Sequence, residues 1–150
     1  MTEEGSTDQS PPDGFVAITQ TSEFVAQSGP FYERREGRKR RIGAWVLPKH
    51  TNLRGFAHGG MMLTMADLAL TRGSFDAGDY PPRATLSLTA EFARPVPKGS
   101  WIEADVEIIR VGKTVSFARC DITCNGKRVA QASGVFRNVP AGALDDLAKD

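Results

Sequence analysis

Apolar and polar positions alternate through four consecutive runs in the second half of the chain. Leu86, Leu88, Ala90 and Phe92 alternate with Thr85, Ser87, Thr89 and Glu91, ahead of Arg94-Pro-Val-Pro-Lys-Gly99. Ile102, Ala104, Val106 and Ile108 then alternate with Glu103, Asp105, Glu107 and Ile109. Gly112-Lys113 marks a tight turn into a third run from Val115 to Cys124, and the fourth run is Val129 to Val139. Between the last two, Asn125-Gly126 is a strong short-range hairpin signal. A period of two is that of a strand with one buried face, so the four runs predict an antiparallel sheet. Upstream, Phe31 to Leu47 predicts two more strands about a turn at Glu36-Gly37, the second carrying Ile42, Ala44 and Val46 on one face.

One stretch breaks this rhythm. From His58 to about Arg72 the pattern predicts a helix ended at Gly73, and Met61, Met62, Leu63, Met65, Ala66, Leu68, Ala69 and Leu70 leave it little polar surface. A helix that is apolar nearly all round is a buried one. Asp67 stands in its middle, and within its own turns only Thr71 is polar. An unpaired buried carboxylate is costly, so such a group is paired, protonated or in use. Gly59 and Gly60 precede the apolar run, and the first amides of a helix point at whatever approaches its N-terminus.

The remaining segments are shorter. Thr21 to Gln27 predicts a short helix covering an edge, closed by Gly29-Pro30. Residues 1–12 read as a disordered tail, 13–140 as one domain, 76–82 as a turn-rich linker and 141–150 as a second tail. One long helix and about six strands give an α+β class, with the sheet curled around the helix. A single helix cannot cover a wide sheet, and Trp101 and the face of Thr85, Ser87 and Thr89 still need neighbours. A homodimer is therefore expected.

Composition narrows the function classes. Nineteen basic against eighteen acidic residues leave a net charge of +1, which points to no nucleic acid or other polyanionic partner. No apolar run approaches about 18 residues, and the N-terminus lacks a signal peptide's basic start, so the expectation is a cytoplasmic protein without membrane association. Cys120 and Cys124 lie four residues apart in a strand-like run, about 13 Å at roughly 3.3 Å per residue, too far to pair. They read as structural thiols; with both histidines, His50 and His58, distant in sequence, no metal is expected. Arg34, Arg35, Arg38, Lys39, Arg40 and Arg41 crowd one turn. They are either a solvated hairpin tip or a landing site for phosphate, which arginine grips bidentately.

The residues Asn52, Gly55-Phe-Ala-His58-Gly59-Gly60 and Asp67-Leu-Ala69, followed by Thr85-Leu-Ser-Leu88 and Phe92-Ala-Arg94-Pro95, resemble the hotdog-fold acyl-CoA thioesterases, most nearly the phenylacetate-pathway group. Gly112-Lys113-Thr114 and Val129-Ala-Gln-Ala132 with Phe136 extend the resemblance over roughly residues 30 to 138. It implies a helix wrapped by a sheet, a site shared between two subunits, and often a pairing of dimers into a homotetramer. Position by position, it implies that Asp67 is the catalytic acid, as general base or nucleophile, and that the Gly59 amide polarises the thioester carbonyl. Asn52 and Thr85 match positions that in some members hold the water or substrate. His58 either anchors the junction into the helix or acts as a base. Gly60 and Met61 are candidates for the substrate wall, Met61 because a flexible thioether adapts to an acyl group. Arg94, Lys98 and Lys113 are candidates for the CoA phosphates.

The function expected is hydrolysis of an acyl-CoA to the free acid and CoA. Coenzyme A belongs to the substrate, and no cofactor is implied. A hotdog acyl-thioester hydratase or dehydratase is a rival, although its His-Phe-Pro motif is absent. A non-catalytic acyl-CoA-binding protein is another, although it has little use for Asp67. Gly59 and Asp67 are eight residues apart on one helix, roughly 12 Å, too far to act on one carbonyl together. Asp67 is therefore expected to meet Gly59 of a second chain.

Overall fold

The computed structural model describes residues 9–75 and 83–138. The linker and both chain ends named above lie largely outside them, save that residues 9–12 are placed. The elements are β1 (Val16–Ala17), α1 (Glu23–Ser28), β2 (Tyr32–Glu36), β3 (Lys39–Trp45), a single 3-10 turn (Pro48–His50), α2 (Gly59–Phe75), β4 (Arg83–Phe92), β5 (Trp101–Val111), β6 (Val115–Cys124) and β7 (Lys127–Asn138). The seven strands form one antiparallel sheet in the order β1-β2-β3-β5-β6-β7-β4.

Alternation determines which residues meet the helix. Ile42 and Ala44 on β3, Ile102 and Ala104 on β5, Ala118, Cys120 and Ile122 on β6, and Ala130, Ala132 and Phe136 on β7 are all buried with Met65, Ala66, Ala69 and Leu70 of α2. Asn125 and Gly126 both take positive φ, 50° and 74°, as the tight turn between β6 and β7 requires. At 17 residues α2 is about 25 Å long and crosses β3, β5, β6, β7 and β4.

Three expectations change. Gly73 does not end α2, which runs on to Phe75. A Cβ at Gly73 would lie 2.9–3.2 Å from the Val106 side chain, so the glycine lets the helix close onto β5. The basic turn is also not a set of free cations: among the described residues, four of its six basic side chains have acid partners. Arg40 is buried against Glu33 at 2.9 Å, and Arg72 reaches the same carboxylate oxygen at 3.2 Å. Lys39 pairs with Asp105, Arg41 lies near Glu103 and Asp105, and Arg34 pairs with Glu36. These cations tie the β2–β3 hairpin to β5 and to the end of α2.

The third change concerns β4. A bulge at Leu86 lets Thr85 pair with Phe136 while Ser87 pairs with Val135. Phe136 is an inward residue, so the extra residue places Thr85 on the helix side with Leu88, Ala90 and Phe92 rather than on the face of Ser87 and Thr89.

On the opposite side of the sheet, Trp101 packs against Phe15, Trp45 and Tyr32 with ring centroids 5.1, 5.1 and 5.8 Å away. Gly43 lies under this indole, where any Cβ would overlap the ring. The Trp45 indole donates to the Ser10 carbonyl at 3.2 Å, which holds the N-terminal segment against that face.

Candidate active site

Not all of α2 is sealed by its own chain. Gly60 is exposed and Leu63, Thr64, Asp67 and Thr71 are half-buried, a stripe at helical spacing beside β4 and α1. Asp67 lies on this stripe. Thr71 does not serve its carboxylate; its hydroxyl donates instead to the backbone carbonyls of Asp67 and Leu68. The partner comes from the bulged strand. Thr85 Oγ1 donates to Asp67 Oδ1 at 2.8 Å, joining residues 18 apart in sequence. Oδ2 receives no hydrogen bond from the described residues. The carboxylate thus has one oxygen fixed, and Asp67 lines an open cavity of about 360 Å³ walled by Phe24, Val25, Leu63, Leu68 and Leu88 with three threonines.

The start of α2 is built differently. His58 precedes the helix and its Nδ1 accepts the Gly60 amide at 2.9 Å, so the ring acts as an N-terminal cap with its proton on Nε2. The His58 carbonyl takes the amides of Met61 and Met62. Gly60 without a side chain lets the ring fold over the helix end, since a Cβ there would stand 3.1 Å from Nδ1. The Gly59 amide is left with no acceptor among the described residues. It borders a second cavity, about 470 Å³, lined also by Asn52, Arg54, Phe56, Met62, Phe92 and Arg94.

Asn52 works mainly on its own loop. Its Oδ1 accepts the amides of Arg54 at 2.9 Å and Phe56 at 3.2 Å, and its backbone amide donates to the Phe56 carbonyl. Arg54 from this turn and Arg94 both line the cavity with Gly59, and the Lys98 amide bonds the Gly55 carbonyl of the same turn at 3.1 Å. Lys113 is not among these residues. It lies by Thr114, whose carbonyl accepts the Asn138 amide, and Asn138 pairs with Arg83 at the far end of β4. Met61 is buried and lines a third cavity with His58, Gly60 and Phe24.

Within one chain, therefore, Asp67 with Thr85 and Gly59 with Asn52 and Arg94 face separate cavities. Sequence reasoning missed Arg54 and Phe24. Arg54 carried a signal, standing two residues after Asn52 in the same loop; Phe24 carried none, because its helix is distant along the chain.

His50 supports this region from below. Its buried ring accepts the Leu47 amide at Nδ1 and donates from Nε2 to the Ser28 carbonyl at 2.8 Å, joining the end of α1 to the loop that enters α2. Cys120 is shielded under the helix, and burial pushes its thiol up to about 12, which leaves it protonated and unreactive at neutral pH. Among the described residues no helix is long and apolar enough to cross a membrane, and no three His, Cys, Asp or Glu side chains gather as a metal site.

Residues 47–137 match the family described as the acyl-CoA thioesterase N-terminal domain. A Pseudomonas aeruginosa protein named as an esterase is 31% identical over 127 residues, which are 83% of this chain and 95% of that protein. Among solved structures, a mutant of the phenylacetic acid degradation protein PaaI from Thermus thermophilus superposes with a TM-score of 0.71 at 24% identity, over 79% of this chain and 100% of its own. A Streptococcus mutans protein solved with acetyl-CoA bound superposes with a TM-score of 0.66 at 19% identity, over 89% and 94% of the two chains. The fold so matched is the hotdog fold.

Proposed function

The chain belongs to the acyl-CoA thioesterase family and is a thioester hydrolase, and from that premise we propose that Asp67 acts on the thioester carbonyl while the Gly59 amide of a second copy holds the oxyanion. The reaction yields the free acid and CoA. As general base, Asp67 takes a proton from water; the hydroxide adds to the carbonyl carbon and the oxyanion rests on the Gly59 N–H. Collapse breaks the C–S bond, and the CoA thiolate recovers the proton. As nucleophile, the same carboxylate would attack the carbon directly and water would resolve the anhydride. Either route uses a preorganised donor for the developing negative charge, and such donors usually contribute most of the rate enhancement in acyl transfer.

The observation that carries this reading is the Thr85–Asp67 hydrogen bond at 2.8 Å, which fixes one carboxylate oxygen and leaves the other for chemistry. The unpaired Gly59 amide supports the oxyanion role, and the roughly 12 Å between positions 59 and 67 on one helix supports a homodimer. In this scheme Asn52 shapes the loop beside the oxyanion site, His58 caps the helix rather than moving a proton, and Gly60 and Met61 border the substrate. Arg94 and Lys98, joined by Arg54, receive the CoA phosphates. Acetyl-CoA in the Streptococcus mutans neighbour supports a CoA thioester as substrate. Lys113 contributes only if the second copy's far strand end reaches the same CoA.

Thiol release from an acyl-CoA panel tests the assignment. Asp67→Asn should lower kcat/KM about 10³-fold with little change in Tm. Full rate in that variant would remove Asp67 from the mechanism. Gly59→Pro removes the amide proton at the first helical position, where proline is well tolerated, and should also be inactive. Mixing the two inactive chains distinguishes a shared site from a self-contained one. Random dimers should recover about a quarter of wild-type activity if the site is shared, and none if each subunit carries its own.

A further inference from the structure

The short helix α1 is the one element beside Asp67 that the hydrolytic scheme leaves without a role. Its six residues are capped by Ser22 and none is buried. It is nevertheless fixed at both ends. Arg72 donates to the Gln20 carbonyl at 2.6 Å just before it; Lys49 and His50 donate to the Gln27 and Ser28 carbonyls at its end, both at 2.8 Å. So held, α1 lies along the open stripe of α2 and points Phe24 outward, 67% exposed. Scattered exposed apolar residues are ordinary. Phe24, however, lines both the cavity of about 360 Å³ that holds Asp67 and the neighbouring one of about 400 Å³ at His58, and Thr64 is the α2 residue that lines both with it. The ring therefore stands where the two cavities meet.

The Asp67 cavity has a definite chemical character. Its walls are apolar side chains and threonine hydroxyls, and among the described residues Asp67 is the one charged residue and no Lys or Arg lines it. A carboxylated acyl group would be placed beside the Asp67 carboxylate without a counter-charge, whereas an uncharged hydrocarbon or aryl acyl group meets Leu63, Leu68 and Leu88.

We propose that Phe24 is the specificity-determining wall of the acyl site, confining an uncharged acyl group of limited length against Asp67 by closing its cavity off from the one at His58. The inference rests on the reading that the acyl carbonyl is attacked at Asp67. Truncating the ring joins the two cavities and admits a longer chain; enlarging it shortens the space further.

The test is the ratio of kcat/KM for lauroyl-CoA to that for hexanoyl-CoA in wild type, Phe24→Ala and Phe24→Trp, with succinyl-CoA as the charged substrate. The ratio should rise about tenfold in Phe24→Ala and fall in Phe24→Trp, and wild type should turn over succinyl-CoA at least about tenfold more slowly than hexanoyl-CoA. A ratio unmoved in both variants, or moved in the same direction by both, overturns the role of Phe24. Succinyl-CoA hydrolysed as fast as hexanoyl-CoA overturns the uncharged-substrate assignment. Asp67→Asn is assayed alongside: full rate there with a shifted Phe24 ratio removes the catalytic acid but keeps the wall, while an inactive Asp67→Asn with an unmoved ratio does the reverse.

Discussion

Strands β4 and β6 are both ten residues long and both alternate apolar with polar side chains, yet they do opposite work. On β6, Ala118, Cys120 and Ile122 are sealed beneath α2, with β5 and β7 paired on either side. On β4, Leu86 is 57% and Phe92 is 50% exposed, and among the described residues only β7 pairs with it. The same period therefore predicts a strand in both places and a buried face in one. Burial depends on what covers the strand, and an edge strand of this kind has room for a bulge and for chemistry. The bulge at Leu86 carries Thr85 round to Asp67; on β6, Ala118, Cys120 and Ile122 pack into the core beneath α2.

Substitutions on the two strands should separate stability from activity. The largest effect belongs to β6. Ile122→Ala leaves a cavity under α2 and should cost about 2–5 kcal/mol in denaturant unfolding, with kcat/KM per folded molecule little changed. On β4, Thr85→Val keeps the volume and removes the donor to Asp67. It should lower kcat/KM about 10–100-fold, as expected for a hydrogen bond to a charged group, while Tm moves little. If the isoleucine variant lost rate and the threonine variant lost stability, the division between the strands would fall.

A smaller effect tests the sealed strand by pH. Cys120 holds its proton in the folded state up to about 12, against an ordinary value of 9.0. The unfolded chain releases that proton first, so the stability tied to the group is full below about pH 9 and drains away as pH rises through about 12. Wild type should lose more stability than Cys120→Ala over that window in parallel denaturant titrations; equal losses would show the thiol to be solvated. The smallest effect is expected from deleting Leu86. Thr85 already pairs with Phe136 and Ser87 with Val135, so removing the extra residue leaves both side chains on their present faces. Activity should stay within about threefold of wild type. A collapse of activity would mean that the bulge sets the distance to Asp67 and not merely the side.

Much of this is legible along the chain. The hairpin at Asn125-Gly126, the extents of β5 and β6, the inward trio Ile42, Ala44 and Val46, and the apolar helix carrying Asp67 all follow from local pattern. What escapes a reading of the chain depends on contacts between distant segments. Gly73 reads as a helix stop, yet it stays helical because the neighbour that forbids a side chain is Val106. The basic turn reads as a free charge cluster until Glu33, Glu103 and Asp105 are brought against it by the sheet. The family resemblance picks out Thr85, but alternation puts it on the wrong face, because a bulge leaves no mark in a period-two count. Phe24 cannot be found at all without knowing that α1 lies along α2.

The aromatic cluster around Trp101 has a practical side. Both tryptophans of the chain, Trp45 and Trp101, belong to it, and it lies on the sheet surface that faces away from α2 and Asp67. Tryptophan emission from this protein thus originates on the side of the sheet opposite Asp67. Their fluorescence follows how the segment from Ser10 to Phe15 grips the sheet, while thiol release follows the chemistry. One cuvette holds two independent optical channels, one for each side of the sheet.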